Sequence, residues 1–194
     1  MTINSCKLVL LGDSSVGKSS IVNRFVSDDF NTFQESTIGA SFLTKDIIND
    51  KDEIIRLEIW DTAGQERYRS LAPMYYRCAR IALVIYDITC NQSFQGAKDW
   101  INELNEKNDN CNIYLIGNKI DLLEEYDNTL KNEVIDFCKK NNIKNFFLSA
   151  KTDENIKETF KYICNSISEE KVFQMKKIKL NKDKPRESYY NCCF

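Results

Sequence analysis

The sequence predicts an α/β fold: a doubly wound, mostly parallel six-stranded sheet with one antiparallel edge strand and helices on both faces. Six short apolar runs, typical of buried strands, alternate with five stretches of helical periodicity. The first run leads directly into a glycine-rich segment and then a helix, the order of a phosphate-binding strand–loop–helix unit. Ligands of such sheets bind where the carboxyl ends of the strands meet, so functional residues are expected at that edge.

Each element follows from its own pattern. The predicted strands are 6–11, 42–48, 54–60, 81–87, 112–117 and 145–149, and the predicted helices are 18–27, 68–78, 92–107, 130–140 and 155–170. The short polar segment Asn49 to Asp52 lies between the second and third strands, which predicts an antiparallel hairpin. A chain of 194 residues with 42% hydrophobic content can fill one core. We predict one domain over 1–170 and a flexible basic tail over 171–194.

The segment after the first strand has the full pattern of a phosphate-binding loop. Gly12 to Ser19 fits G-x-x-x-x-G-K-[ST], and its glycines allow backbone N–H groups to surround a phosphate. Lys18 supplies a positive charge, the Ser19 hydroxyl suits Mg²⁺, and the following helix adds its dipole. The predicted nucleotide-binding residues here are Ser14, Ser15, Val16, Gly17, Lys18, Ser19 and Ser20.

Two further segments indicate that the base is guanine. Asn118 to Asp121 closes a buried strand, and the Asp121 carboxylate can accept both donors on the guanine edge, where adenine offers no matching pair. Asn118 can bridge the base to the phosphate loop, and the Lys119 stem can cover the ring. A backbone N–H from 149–151 can meet the guanine oxygen. The predicted base-binding residues are Asn118, Lys119, Asp121, Ser149, Ala150 and Lys151.

A strand ending in D-x-x-G supplies the predicted chemistry. Asp61 is placed to hold Mg²⁺, and Gly64 can donate its N–H to a terminal phosphate. The Gln65 amide can orient an attacking water without acting as a strong base, which suits a loose phosphoryl transition state. The chain contains no histidine, which excludes any mechanism that needs an imidazole. Gln65 is therefore the predicted catalytic residue, with GTP and GDP as substrate and product.

Two alternatives fit fewer of these observations. A phosphotransferase acting on a small acceptor needs a lid and an acceptor pocket, for which the sequence offers no segment, and it leaves the guanine-binding pattern unexplained. A GTP-binding scaffold with negligible hydrolysis leaves Gln65 without a role, although slow intrinsic turnover is normal for such proteins.

Together these motifs resemble the P-loop GTPase domain of the Ras-superfamily small GTPases, and the resemblance covers about the whole chain. Three segments resemble those that distinguish the Rab family, Ile38 to Phe42, Trp60 to Tyr68, and Tyr75 to Arg77. Gln34 to Thr44 and Ser70 to Tyr76 are similar to the early-endosome Rab subgroup. The resemblance implies a role in early endocytic transport and endosome fusion at the cytoplasmic face of endosomal membranes, with a cytosolic GDP-bound pool.

The same resemblance implies partners and site residues. The partners are an exchange factor, a GTPase-activating protein, a GDP-dissociation inhibitor, an escort protein and effectors, and no nucleic acid. Thr37 becomes a third Mg²⁺ ligand beside Ser19 and Asp61, and its segment from Ser27 to Ser41 is polar enough to reorder around a third phosphate. Phe30 packs beside the base, and Phe42, Trp60 and Tyr75 face effectors.

Four positions need separate mention. Aromatic residues on strands, such as Phe42 and Trp60, are more often core residues when taken alone, and only the family pattern makes them a recognition patch. Cys78 stands where Rab proteins usually have glycine. Ser14 occupies a phosphate-loop position that is glycine in Ras, a common Rab choice, and we expect hydrolysis to survive it.

The end of the chain has a different chemistry. Between 171 and 191 seven basic residues face two acidic ones, a net charge of +5 against −2 for the whole chain. The last residues, Cys192, Cys193 and Phe194, resemble the Rab prenylation signal, which implies membrane attachment through two lipid chains. The longest dense apolar run, Ile81 to Tyr86, is strand-sized, and the scattered cysteines favour a reduced, cytosolic protein.

Overall fold

The computed structural model of the chain describes residues 4–108, 110–123 and 129–167. Its strands are β1 (Asn4–Leu11), β2 (Ala40–Ile48), β3 (Ile54–Thr62), β4 (Ile81–Asp87), β5 (Asn112–Asn118) and β6 (Lys144–Phe147). Its helices are α1 (Lys18–Ser27), α2 (Ala72–Tyr76), α3 (Asn91–Lys107), α4 (Thr129–Asn141) and α5, described from 156 to 167. Short 3₁₀ turns cover Glu66–Leu71 and Ile120–Leu122. The predicted domain boundary and the predicted tail lie outside the described residues.

The strands form one six-stranded sheet in the order β2-β3-β1-β4-β5-β6. β1 pairs in parallel with β3 and β4, and the parallel pairing continues through β5 to β6. β2 pairs antiparallel with β3 at one edge of the sheet. The predicted fold class and the predicted hairpin are both confirmed. The carboxyl ends of the five parallel strands, β1, β3, β4, β5 and β6, therefore meet at a single edge of the sheet.

Apolar side chains cover both faces of the sheet, as expected for a parallel sheet between helical layers. In β1, Leu8 and Leu10 pack with residues of α1 and α5, while Val9 and Leu11 pack with residues of α2, α3 and α4. The phosphate loop follows directly from this buried strand, so the core fixes where the loop begins.

The region between β3 and β4 differs from its prediction. One helix was expected over 68–78, but the structure has a 3₁₀ turn over Glu66–Leu71 and a single α-helical turn over Ala72–Tyr76. Pro73 lies in the first turn of α2, where its missing N–H costs nothing but where it cannot continue a helix from before. Cys78, with φ of 58°, turns the chain out of the helix. The last predicted strand also ends earlier, at Phe147 rather than 149.

Pairing in the β2–β3 hairpin separates two sets of side chains. Phe42 lies opposite Trp60, and Asp46 lies opposite Arg56, on the outward face. Leu43 lies opposite Ile59 and packs against the core on the inward face.

Two further facts concern the described part of the chain as a whole. Within residues 4–108, 110–123 and 129–167, none of the helices is both long enough and apolar enough to cross a bilayer. Each of the six cysteines in these ranges is a free thiol.

Candidate nucleotide-binding site

A cleft of about 430 Å³ lies at the carboxyl edge of the sheet, and most of the predicted site residues line it. Those that line it are Ser14, Ser15, Gly17, Lys18, Ser19, Ser20, Phe30, Thr37, Gly64, Gln65, Asn118, Lys119, Asp121, Ala150 and Lys151. The other three predicted residues lie just behind this lining and bond to it. Val16 accepts a hydrogen bond from Asn118, Ser149 donates one to Asp121, and Asp61 accepts one from Ser19.

The phosphate loop ends in a left-handed glycine that begins α1. Gly17 has φ of 93°, and a side chain there would collide with the Asn118 amide. Lys18 is buried, and its Nζ donates to the carbonyl oxygens of Gly12 (2.9 Å) and Asp13 (2.7 Å). Burial lowers the pKa of Lys18 to about 8, although the carboxylates of Asp61 and Asp13 oppose that shift. The ammonium group is thus positioned inside the loop, where an anion would stabilise its charge.

Three oxygen-bearing side chains converge beside Lys18. Ser19 Oγ lies 2.7 Å from Thr37 Oγ1 and donates to Asp61 Oδ2 at 2.5 Å. Burial raises the pKa of Asp61, against the hydrogen bond from Ser19 and the charge of Lys18. Asp61 Oδ1 is also buried, and none of the described residues donates a hydrogen bond to it. Two hydroxyls and a buried carboxylate with one unsatisfied oxygen form a donor set that suits Mg²⁺.

At the other end of the cleft Asn118 connects three segments. Its Nδ2 donates to Val16 O at 2.9 Å, and its Oδ1 accepts from Ala150 N at 3.2 Å. Ser149 Oγ donates to Asp121 Oδ1 at 2.6 Å, which holds that carboxylate in the cleft. The predicted bridge from Asn118 to the phosphate loop is present, and it extends to the 149–151 segment as well.

Lys119 has a partner that the sequence analysis missed. Its Nζ lies 2.7 Å from Asp87 Oδ2 at the end of β4, and Thr89 donates to the other carboxylate oxygen. Burial by itself would raise the pKa of Asp87, but the hydrogen bonds from Lys119 and Thr89 outweigh burial and lower it. The sequence signal that could have identified Asp87 is its position as a carboxylate at the end of a predicted parallel strand. Asp87 holds Lys119 extended along the cleft wall.

The D-x-x-G segment passes close to the phosphate loop. A side chain on Gly64 would collide with Asp13 O and Lys18 Nζ, so only glycine fits there. Gln65 follows in an extended conformation, lines the cleft, and precedes the 3₁₀ turn. The structure therefore brings the predicted catalytic amide to the same end of the cleft as Lys18.

A loop over residues 30–38, called the 30–38 loop below, forms the outer wall of the cleft. Phe30 is half-buried and packs against the core, whereas Phe33 is 88% exposed and Ile38 is 78% exposed. Sequence reasoning selected only Phe30 and Thr37 from this loop. The structure adds Asn31, Thr32, Gln34, Glu35 and Ser36 to the lining, and it adds Thr62 and Leu122 from elsewhere.

The three predicted effector-facing aromatic residues form one contiguous cluster outside the cleft. The ring centroids of Phe42 and Trp60 are 5.1 Å apart, and those of Trp60 and Tyr75 are 5.8 Å apart. Phe42 is 53% exposed, whereas Trp60 on β3 and Tyr75 on α2 are half-buried and pack against the core. A core position, the interpretation of strand aromatics taken alone, is therefore wrong for Phe42 and partly right for Trp60. The cluster lies on the outward face of the hairpin.

Comparison with known proteins agrees with this geometry. The sequence profile of the Ras family matches residues 7–169. The chain belongs to the Ras family. It is 51% identical over 168 residues to the GTP-binding protein ypt5 of Schizosaccharomyces pombe, covering 86% of the chain and 79% of that protein. It is 52% identical over 167 residues to the GTP-binding protein YPT53 of Saccharomyces cerevisiae, covering 83% and 76%.

A third relative, the GTP-binding protein YPT52 of Saccharomyces cerevisiae, is 47% identical over 199 residues, covering 88% of the chain and 83% of that protein. As a Ras-family member of this type, the chain is a small GTPase that binds GTP and GDP.

Proposed function

We propose that this small GTPase is a regulator of vesicle traffic in early endocytic transport. It would alternate between a GTP-bound membrane form and a GDP-bound form that can be extracted into the cytosol. The observation that carries the proposal is a single cleft in which Lys18, Gln65 and Asp121 are brought to one edge of the sheet from three distant parts of the chain.

The phosphate end of the cleft supports hydrolysis by positioning and charge. The Lys18 ammonium faces inward and would neutralise charge on the β- and γ-phosphates, and the backbone N–H of Gly64 would donate to the γ-phosphate. Gln65 would orient water for in-line attack, because its amide can both accept and donate. Such a site stabilises a loose phosphoryl transition state without forming a covalent intermediate.

Ser19, Thr37 and Asp61 would hold Mg²⁺, and the buried unpaired oxygen of Asp61 supports this assignment. The ion would neutralise charge on the β- and γ-phosphate oxygens. Thr37 lies in the exposed 30–38 loop, so its hydroxyl links the order of that loop to the occupant of the phosphate site.

The opposite end of the cleft supports the choice of guanine. Asp121 has both oxygens oriented by neighbours, Oδ1 by the Ser149 hydroxyl and Oδ2 by the Lys151 ammonium at 3.8 Å. Guanine offers N–H donors to such a carboxylate, and adenine would leave the carboxylate unpaired.

The endosomal part of the proposal rests on resemblance. The segments Gln34 to Thr44 and Ser70 to Tyr76 are similar to the early-endosome Rab subgroup, and the aromatic cluster of Phe42, Trp60 and Tyr75 would contact effectors there. An exchange factor, a GTPase-activating protein, a GDP-dissociation inhibitor and an escort protein complete the expected cycle. Cys192 and Cys193 lie outside the described residues, and we propose them as the two prenylation sites.

A single-turnover hydrolysis assay tests the catalytic assignment. Gln65→Leu should retain GTP but lose hydrolysis stimulated by a Rab-type GTPase-activating protein, because leucine fills the space without orienting water. Gln95→Leu is the matched control, since Gln95 is an exposed glutamine on α3. Wild-type stimulated turnover in the Gln65 variant would exclude Gln65 as the water-positioning residue.

Localisation of the full-length chain in cells tests the membrane assignment. The wild type should mark early endosomes and carry two prenyl groups by mass spectrometry. Replacing Cys192 and Cys193 together with serine should release the protein into the cytosol, whereas Cys90→Ser, at an exposed cysteine before α3, should not. Membrane association that persists in the double variant would refute the lipid anchor.

A further inference from the structure

Arg24 connects α1 to the segment that the preceding proposal assigns to the base. Its Nε donates to Ala150 O at 3.0 Å, and its Nη2 donates to Lys151 O at 3.2 Å. These two carbonyls are 126 and 127 residues away in sequence. The remaining Nη1 donates to Asp28 O at 2.9 Å and lies 3.3 Å from Asp28 Oδ1. All three nitrogens of one guanidinium are therefore occupied, and only 16% of the side chain is exposed.

The segment held by Arg24 is a turn rather than a strand or helix, and side-chain hydrogen bonds hold it in place, such as those from Thr152 N–H to Ser149 Oγ and from Asn155 Nδ2 to Phe147 O. It lies beyond the end of β6, and it continues into a turn in which Asp153 (φ 65°) and Asn155 (φ 61°) are both left-handed residues with side chains. Such conformations are unfavourable for residues other than glycine and persist when surrounding contacts impose them. An isolated bridge pairs Ser149 with Glu154 across this turn.

The 150–151 backbone is thus held from two sides. Asn118 Oδ1 accepts the Ala150 N–H on the cleft side, and Arg24 binds the carbonyl of the same residue on the α1 side. With both hydrogen-bonding groups of Ala150 occupied, the orientation of the neighbouring peptide groups is fixed. The Ala150 carbonyl points toward α1, so the Lys151 N–H of the same trans peptide unit faces the opposite way, while the Thr152 N–H donates to Ser149 Oγ.

α1 itself begins at the phosphate site. Lys18 and Ser19 form its first turn, and Arg24 lies six residues further on, an axial distance of about 9 Å. One short helix therefore carries the phosphate-binding groups at one end and, near its other end, the group that holds the base-binding segment. Asp28, the left-handed residue that ends α1, completes this arrangement by accepting from the same guanidinium.

We propose that Arg24 is a positioning residue for base recognition, which holds 150–151 so that a backbone N–H meets the 6-oxygen of guanine. The proposal rests on the assignment of guanine to this end of the cleft. Loss of two charge-assisted hydrogen bonds that orient the segment should weaken GDP binding about ten- to a hundredfold. The effect should appear mainly as faster release, since the site would still form but would open more often.

The test compares three diphosphates with full-length wild type, Arg24→Met and Arg24→Lys. GDP carries both the 6-oxygen and the 2-amino group, inosine diphosphate lacks the 2-amino group, and 2-aminopurine riboside diphosphate lacks the 6-oxygen. Arg56→Met is the matched control, because Arg56 also makes a two-bond contact, to Asp46, but on the outward face of the hairpin. Dissociation constants and release rates are measured for each combination of protein variant and nucleotide.

Arg24→Met should weaken GDP and inosine diphosphate by a similar factor and affect the 2-aminopurine compound much less. Arg24→Lys should rank the three nucleotides in the same order of affinity loss, but with smaller losses, since its ammonium can still reach one carbonyl. If the methionine variant fails to fold, the lysine variant alone tests the proposal. Equal losses for all three compounds would show a general structural effect and overturn the proposal, as would unchanged GDP release. A wild type without preference for GDP over ADP would instead refute the base assignment itself.

Discussion

The two walls of the nucleotide cleft are built differently. The inner wall consists of the phosphate loop, 118–121 and 149–151. Long-range hydrogen bonds join these segments, such as those of Asn118 with Val16 and Ala150. The outer wall is the 30–38 loop, where Phe33 is 88% exposed and Ile38 is 78% exposed. A direct hydrogen bond from the outer wall to the site joins the Thr37 and Ser19 hydroxyls.

This difference separates two tasks. The inner wall has few ways to rearrange, because Lys18, Asn118 and Ser149 are buried there and hydrogen-bonded to neighbouring groups. It can therefore bind the base and the α- and β-phosphates in either nucleotide state. The outer wall has few buried contacts to lose when it moves, as expected for a segment drawn from the least stable part of a fold. The comparison predicts that changes in the inner wall alter affinity for every guanine nucleotide, while changes in the outer wall distinguish GTP from GDP.

The largest effect is expected at the inner wall. Asp121→Asn should weaken GDP binding by about 30- to 150-fold, the equivalent of about 2 to 3 kcal/mol, because the charge-assisted contact to the guanine edge is lost. Xanthosine diphosphate should bind the variant more tightly than it binds the wild type, since xanthine presents a carbonyl where guanine has an amino group. Equilibrium competition with both nucleotides measures the change.

A carboxylate far from the cleft provides the control for that variant. Asp46→Asn weakens an exposed pair with Arg56 on the hairpin and should leave nucleotide affinity unchanged. Unaltered GDP affinity in Asp121→Asn would refute the assignment of Asp121 as the residue that binds the guanine base.

A smaller and more selective effect is expected at the outer wall. Thr37→Ala removes the hydroxyl that reaches Ser19, so binding of a non-hydrolysable GTP analogue with Mg²⁺ should weaken about tenfold, as for the loss of one hydrogen bond to a charged centre. GDP binding should change by less than about twofold. Thr44→Ala, at an exposed threonine on β2 outside the cleft, is the control and should change neither affinity. Equal losses for the two nucleotides would remove the distinction between the walls.

The pH dependence of GDP affinity tests whether the Lys18 side chain is buried in the inner wall. Burial lowers the pKa of Lys18 to about 8, so nucleotide binding requires a proton that the free protein progressively lacks above that pH. Affinity for GDP should fall about threefold between roughly pH 7.5 and 8.5. Calorimetry in buffers of different ionisation enthalpy should detect the proton taken up.

The stability of the nucleotide-free protein should change in the opposite direction. The unfolded chain binds the Lys18 proton with its ordinary pKa of 10.5, so from about pH 8 to that value the unfolded state holds more protons. The contribution of Lys18 to the free energy of unfolding should therefore rise with pH across this window. Affinity and stability that fell together would contradict a buried lysine.

The smallest effect is expected outside both walls, just after α2, where Cys78 takes a left-handed conformation (φ 58°). Cys78→Gly should raise the free energy of unfolding by up to about 1 kcal/mol, because glycine adopts this conformation without a steric penalty. Cys90→Gly is the matched control, since Cys90 is also exposed but extended (φ −127°), and it should gain nothing. Urea unfolding of both variants measures the difference.

Local sequence patterns predict most of the strands and helices and most of the residues that line the cleft. They do not reveal contacts between residues that are distant in sequence. Strand ends are visible as apolar runs followed by polar residues, which is why Asp61, Asn118 and Gln65 were found. Arg24 was not, since its partners lie more than 100 residues away and its helical position carries no periodic signal. The prediction of one continuous helix over 68–78 is wrong, because Pro73 lacks the N–H that would continue a helix from the residues before it.

The hairpin between β2 and β3 makes the aromatic cluster depend on a distant turn. Asn49 is buried there, and its Oδ1 accepts from the backbone N–H groups of Lys51 (2.9 Å) and Glu53 (2.8 Å), about 20 Å along the strand from Phe42. Inserting or deleting one residue in this turn would shift one strand against the other and exchange its two faces. Phe42 would then turn inward and Leu43 outward, so the length of a remote turn determines which side chains a partner protein can meet.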